Sequence, residues 1–146
     1  MIIEEVKVKG NLSIDLIDQN QNIIDSRKIN NLVVTVGKNY LASRATSNSS
    51  AIMSHMAVGS QNTAPVVGET ALGSELGRVA LDSTNVTGNS ISYVATFPAG
   101  TGTGALTEAG IFNAGTSGTL LCRTQFNAIN KSSTDAIVIT WNVIIN

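Results

Sequence analysis

Charge is scarce in this sequence. Only 13% of its 146 residues are Asp, Glu, Lys or Arg, whereas about 25% is usual for a soluble domain. Ser, Thr, Asn and Gly must therefore fill the surface positions, which suits β-strands and turns. The cores of subunit interfaces are also depleted in charge. Two interpretations follow: an ordinary β-rich surface, or a surface that neighbouring subunits cover.

Basic clusters and long apolar runs are also missing. The net charge is −1, and Arg27 and Lys28 form the only adjacent basic pair, so the sequence has no electrostatic footprint for nucleic acid. No stretch approaches the roughly 20 apolar residues of a membrane span. The N-terminus, with Glu4 and Glu5, is acidic where a signal peptide would be basic. We expect synthesis in a cytoplasm, with neither a nucleic-acid nor a membrane partner.

Residues for catalysis or metal binding are few. The single cysteine, Cys122, cannot form an internal disulfide and reads as a small buried hydrophobe. The single histidine, His55, lies in an apolar segment that favours a packed or interface role over a catalytic one. The glycine run 100–104 lacks the Lys-Ser/Thr of a phosphate loop. A catalytic pair of carboxylates would have to come from Glu69, Glu75, Asp82 and Glu108, and nothing in the sequence places any two of them together. We therefore expect no enzyme, cofactor or metal site.

The C-terminal third organises the predicted fold. From Ala136 to Ile145, apolar and polar residues alternate with the period of two that is typical of a half-buried strand. Two further apolar segments, 106–113 and 120–126, flank a connection of hairpin length that is rich in Gly, Ser and Thr. The sequence therefore predicts an antiparallel sheet here. We expect the core to include Ile111, Phe112, Phe126, Ile139, Trp141 and Val143.

Residues 1–30 are predicted to form an N-terminal β-hairpin arm. Apolar residues fall on even positions along one long strand, 5–18, and a turn leads to a returning strand, 23–29. Because an isolated hairpin is marginal in water, we expect the arm to lie on the body of the protein or to pair with a neighbouring chain by strand addition. The residues expected to mediate assembly are Val6, Val8, Leu12, Ile14 and Leu16.

Residues 31–146 are predicted to form the body of the protein. One helix is predicted near residues 33–45, where apolar side chains recur at helical spacing, and a short strand follows at 51–58. Strands 76–82 and 90–97 are predicted to pair with each other across a polar connection. The fold class is therefore mostly β (α+β): an antiparallel, β-sandwich-like domain of about eight strands with one helix.

Glu108 stands out because it lies inside an otherwise apolar stretch. An ionised carboxylate in such a place needs a cation or several backbone donors to offset its desolvation. Arg78 and Arg123 lie in predicted strands that could flank it. We therefore hypothesise a structural ion pair between Glu108 and one of these arginines. The alternative is a solvent-facing Glu108 on the polar side of its strand.

Several segments, taken together, resemble a known family. They are Val33–Ala42, Met53–Gly59, Pro65–Leu72, Glu75, Arg78 and Leu106–Asn113. In this order and spacing they are similar to the N-terminal, virion-attaching domain of bacteriophage tail-collar fibre proteins. The resemblance covers residues 31–145 approximately. It implies a phage structural protein of the virion that docks on the tail or baseplate, without enzymatic activity.

The chain also departs from that family. Fibre proteins of this kind continue into a long shaft and a receptor-binding tip, and the N-terminal hairpin is additional to their attachment domain. We therefore expect a small adaptor, collar or decoration subunit, homo-oligomeric and trimeric by analogy with fibres, that also contacts other phage structural proteins.

Two other functions are kept as alternatives. One is a capsid decoration protein that clamps the junctions between capsid subunits, since the same small β-rich body would serve. The other is a carbohydrate-binding module for host recognition. Aromatic residues make up only 4% of the chain, which disfavours this second alternative because glycan sites commonly present aromatic platforms.

Overall fold

A computed structural model describes residues 4–46 and 50–146 of the chain. The described residues form nine strands and one helix. In chain order they are β1 (Val8–Ile17), β2 (Ile23–Val33), α1 (Thr35–Arg44), β3 (His55–Gly59), β4 (Glu75–Ala80), β5 (Ser83–Thr87), β6 (Ser90–Phe97), β7 (Gly104–Phe112), β8 (Leu120–Lys131) and β9 (Ala136–Ile145).

All nine strands belong to one curled antiparallel sheet in the order β4-β3-β7-β8-β2-β1-β9-β6-β5. Most of β2 pairs with β1, but its last two residues, Leu32 and Val33, pair with β8. β4 pairs with β3, and β5 pairs with β6. The short link between β4 and β5 therefore also carries the chain from one end of the sheet order to the other. The sheet therefore has a β1 half (β2, β1, β9, β6 and β5) and a β7 half (β4, β3, β7 and β8).

The main core lies between these two halves. Ile137, Ile139, Trp141 and Val143, on alternating positions of β9, are buried in it, as the period of two requires. Of the other residues predicted for the core, Ile111 and Phe126 belong to the same cluster. Phe112 is also buried, but it packs in a second cluster with Val34, Ala57, Leu72 and Leu120. The β7 half is therefore covered on both faces.

The predicted N-terminal arm needs correction. The hairpin forms, but β1 also pairs with β9 along its whole length, from Val8 to Ile17. The hairpin therefore lies in the middle of the sheet and does not project from it. Of the residues predicted to mediate assembly, Leu12, Ile14 and Leu16 are buried in the core and Val8 packs against it. Only Val6 of this set is exposed. Their alternation is explained by burial within the chain's own core. The predicted boundary between arm and body, at residues 30 and 31, falls inside β2, which runs through it without interruption.

The predicted pairing of strands 76–82 and 90–97 is wrong. β4 pairs with β3, and the polar connection that was expected between the two strands is itself the strand β5, which pairs with β6. A tight turn at Gly88, with φ of +60°, joins β5 to β6. β5 shows no alternation because all five of its residues are exposed, so its sequence carries no signal of a half-buried strand.

The helix and β3 are both shorter than predicted. Helix α1 begins at Thr35 and ends at Arg44, within the predicted 33–45, because Val33 and Val34 are still extended and buried. A Cβ atom on Gly37 would lie 2.1 Å from the carbonyl oxygen of Leu121. Glycine at this position therefore lets α1 rest directly on β8. Strand β3 begins at His55, later than the predicted 51.

The central position of the hairpin predicts that its inward side chains are essential for stability. Ile14→Ala should lower the free energy of unfolding by about 3 kcal/mol, since it removes a buried side chain and leaves a cavity. Denaturant unfolding followed by Trp141 fluorescence measures the change. Ser13→Ala, on the opposite face of the same strand, is the matched control and should cost much less. Equal, small effects for both variants would contradict the central placement.

Candidate functional site

The outer face of the β7 half is covered by a long loop, residues 60–74, which we call the covering loop. Its Leu72 side chain packs beside Phe112 and Leu120 in the second apolar cluster. Gly59, the last residue of β3, shows how close the loop comes to the sheet. A Cβ atom on Gly59 would lie 2.3 Å from the carbonyl oxygen of Ser74 in the loop, and it would also lie 2.4 Å from the carboxylate of its β7 neighbour Glu108.

Glu108 anchors this loop from β7. Its carboxylate is fully buried. Oε1 accepts hydrogen bonds from the backbone N–H groups of Gln61 (3.2 Å) and Ser74 (2.8 Å), and Oε2 accepts one from Gly73 (3.1 Å). Oε2 also accepts from Nε of Arg123 at 3.0 Å. One side chain therefore holds both ends of the covering loop, and its burial is offset by four donors.

Arg123 completes the anchor from β8. Its guanidinium is fully buried beside Glu108 and donates to the carbonyl oxygens of Thr63 (3.0 Å) and Gln61 (3.3 Å). Glu69, which belongs to the covering loop and is partly exposed, lies 3.2 Å from the same guanidinium. Glu69 also accepts a hydrogen bond from the backbone N–H of Val66. The network therefore joins two strands to the beginning, middle and end of the loop.

Arg78, the other arginine considered for Glu108, has a different partner. It forms an ion pair with Glu75 (2.6 Å) and lies 3.8 Å over the ring of Phe112. Its Nη1 also donates to the carbonyl oxygens of Ala114 (3.0 Å) and Ser117 (2.8 Å). Arg78 thus fixes the loop between β7 and β8, as Arg123 fixes the covering loop.

A third cation, Lys131, fixes the start of the glycine run. Its side chain is buried, and its ammonium donates to the carbonyl oxygen of Pro98 at 3.0 Å. Burial lowers the pKa of Lys131, while nearby Asp135 opposes part of that shift. Three of the loops that border the β7 half are therefore each held by a cation that binds loop carbonyl oxygens.

These contacts define what the network can do chemically. Both Glu108 oxygens already accept two hydrogen bonds each, so the carboxylate is committed to fixing backbone. His55 lies 2.8 Å, through Nδ1, from the hydroxyl of Ser54, and no carboxylate in the described ranges hydrogen-bonds its ring. Residues 4–46 and 50–146 contain no group of three or more His, Cys, Asp or Glu placed to hold a metal. The arrangement is suited to presenting a rigid surface.

Sequence reasoning identified Glu108 and both arginines, but it missed the role of Glu69 and the covering loop. The sequence places Glu69 among the carboxylates without a known neighbour and in the segment Pro65–Leu72 of the family resemblance, and neither assigns it a partner. The segment around it contains small and polar residues without periodicity, so no local pattern shows that it folds over a sheet. Only the sheet order, which puts β7 beside both β3 and β8, brings Glu69 to Arg123.

Comparisons with protein-family models, curated proteins and solved structures return no match to this chain. Within the described parts of the chain, none of the helical structure is long and apolar enough to cross a membrane.

The buried network predicts a large effect of neutralising Glu108. Glu108→Gln should lower the free energy of unfolding by about 3 kcal/mol, because a buried ion pair that loses one partner leaves the other charge poorly compensated. Chemical denaturation measures this loss. Glu5→Gln, which breaks the exposed pair between Glu5 and Lys7, is the matched control and should leave stability nearly unchanged. A stable Glu108→Gln protein would contradict the anchoring role.

Cys122 offers a probe of the core at the same place. Its side chain is fully buried, and burial raises the pKa of the thiol well above its ordinary value. Native protein should therefore react with a thiol reagent such as DTNB only as fast as it unfolds, since the thiolate is the reactive species. Raising the pH to the pKa of a free thiol, about 8.5, should not speed the reaction of the native protein. Denatured protein should react at once, and rapid labelling of the native chain would contradict this burial.

Proposed function

We propose that this protein is a bacteriophage virion structural subunit of the tail-collar fibre attachment type. It is made in the host cytoplasm and acts by contacts with other copies of itself and with other phage structural proteins, not by catalysis. The proposal begins from the family resemblance of the sequence. Support comes from where the resembling segments lie: Met53–Gly59 contains β3, Leu106–Asn113 overlaps β7, and Pro65–Leu72 lies in the covering loop. They form one connected unit around Glu108 and Arg123.

The observation that carries the proposal is the edge strand β5. It is the last strand of the sheet, and all five of its residues, Ser83–Thr87, are exposed. Natural sheets usually protect such an edge with charges, proline or a bulge, because an unprotected edge pairs with other chains. β5 has no charged residue and no proline, and it pairs with β6 without a register shift. An edge left open in this way suits a protein whose edge is covered by another subunit.

Exposed apolar side chains give further support. Val86 on β5 is 70% exposed, and Val66 and Val67 at the tip of the covering loop are 60% and 50% exposed. The tip is held in place by the contacts of Glu69 and Arg123. Rigid apolar groups on a charge-poor surface are what a subunit interface requires.

The aromatic residues weigh against the carbohydrate-binding alternative. All six are buried in the two apolar clusters. They are Tyr40, Tyr93, Phe97, Phe112, Phe126 and Trp141. The protein therefore presents no aromatic platform for a sugar ring, and a structural role is the better proposal.

The direct test is the location of the protein in phage particles. We expect mass spectrometry of purified particles of the encoding phage to detect the chain, and cryo-electron microscopy to place it at the tail, collar or fibre base. Absence from particles would overturn the proposal. Density on the head would instead support the decoration alternative.

A β5 variant tests the observation that carries the proposal. Val86→Lys should fold with unchanged thermal stability, because the side chain is exposed, but should enter particles poorly, because a charge on an edge strand opposes pairing. Gln19→Lys, in an exposed turn, is the control and should enter normally. Equal incorporation of both variants would remove β5 from the assembly contact.

A further inference from the structure

A groove of about 600 Å³ lies between the N-terminal segment and helix α1. Its walls are partly apolar, with Val8, Leu41 and Ile145 among the lining residues. Val8 and Leu41 are partly buried and pack against the main core. The volume falls in the range of sites that bind ligands or peptide side chains, roughly 300 to 1,000 Å³. We call this feature the N-terminal groove.

The rim of the N-terminal groove carries positive charge only. Lys7, Lys9 and Lys38 line it, and α1 contains no acidic residue. Lys7 has an ion pair with Glu5 at 3.2 Å, in which both side chains are about two-thirds exposed. Lys9 and Lys38 form no ion pair with any residue of the described ranges. The groove therefore fits an occupant that is apolar and carries carboxylates.

The chain itself has a segment of this chemistry beside the groove. Glu4 and Glu5 are exposed, and Val6 is 77% exposed, the largest fraction among the exposed large hydrophobic residues in the described part of the chain. An apolar residue at that exposure gains by entering another apolar surface. We infer that residues 4–6 of a second copy bind the N-terminal groove, with Val6 against the apolar wall and the two carboxylates on the lysine rim.

The contact is self-complementary. Residues 4–6 and the groove are adjacent in one molecule, since Val6 itself lines the groove. A two-fold axis near Val6 therefore lets each copy offer its segment to the other's groove, as an isologous dimer requires. The Glu5–Lys7 pair within one copy opposes this exchange only weakly, because exposed ion pairs contribute little. The inference deepens the proposed assembly function, on which it rests, by naming where two copies meet and through what chemistry, and it gives a two-fold contact in place of the trimer expected by analogy with fibres.

Charge reversal on the full chain tests this dimer. One variant carries Glu4→Lys and Glu5→Lys, and a second carries Lys9→Glu and Lys38→Glu. Alone, each places like charges in the contact, so analytical ultracentrifugation should show its dimer dissociation constant raised at least about tenfold over the wild type. Mixed in equal amounts, with one variant uniformly ¹⁵N-labelled so that its mass is distinct, the two variants should form a heterodimer that native mass spectrometry separates from both homodimers. The wild-type dimer should weaken as salt is added.

Controls separate this contact from others. Lys28→Glu changes an exposed lysine away from the groove and should dimerise like the wild type, and circular dichroism should show every variant folded. A monomeric wild type, or reversed variants that dimerise normally, would overturn the inference. A dimer lost only in Val86→Lys would also overturn it, by moving the contact to β5. Detection of the chain in particles while the purified chain is monomeric would sink this inference and leave the proposed function standing.

Discussion

The buried contact between Glu108 and Arg123 is the constraint on which the surface of the β7 half depends. Two charges removed from water destabilise a fold unless hydrogen bonds replace the lost hydration. Here the replacements come almost entirely from the backbone of the covering loop, whose N–H groups serve Glu108 and whose carbonyls serve Arg123. The ion pair and the loop conformation therefore depend on each other: without the loop, Glu108 and Arg123 keep only their contact with one another and lose the backbone hydrogen bonds that replace their hydration.

The same principle recurs around the β7 half. Arg78 and Lys131 also direct their charges at loop carbonyl oxygens, so segments without regular structure are held by side chains that rise from strands. A charge-poor chain thus uses several of its few cations inside the protein. The surface that remains is made of small polar residues, scattered exposed valines and isoleucines, and one open strand edge.

Such a surface is suited to the proposed structural role, because it offers several places where other subunits can bind. Both Glu108 oxygens are used in fixing the backbone, and the effect of the network is to hold Val66 and Val67 outward on a fixed loop. β5 offers main-chain groups, the loop offers apolar side chains, and the N-terminal groove offers lysines beside an apolar wall. These three surfaces differ in chemistry, which suits a subunit that meets more than one neighbour.

The sequence by itself determined the fold class, the strand character of β9 and the core positions along it, because the alternation around Trp141 is a local pattern with one physical explanation. It also singled out Glu108, since a carboxylate in an apolar segment needs compensation wherever that segment lies. Only the tertiary structure decided that the hairpin carrying Leu12 and Ile14 is central, that β5 is a strand, and that Glu69 joins Arg123. Each of these depends on which strands become neighbours, and strand order is set by the burial of whole faces against one another, a free energy that no short window of residues contains.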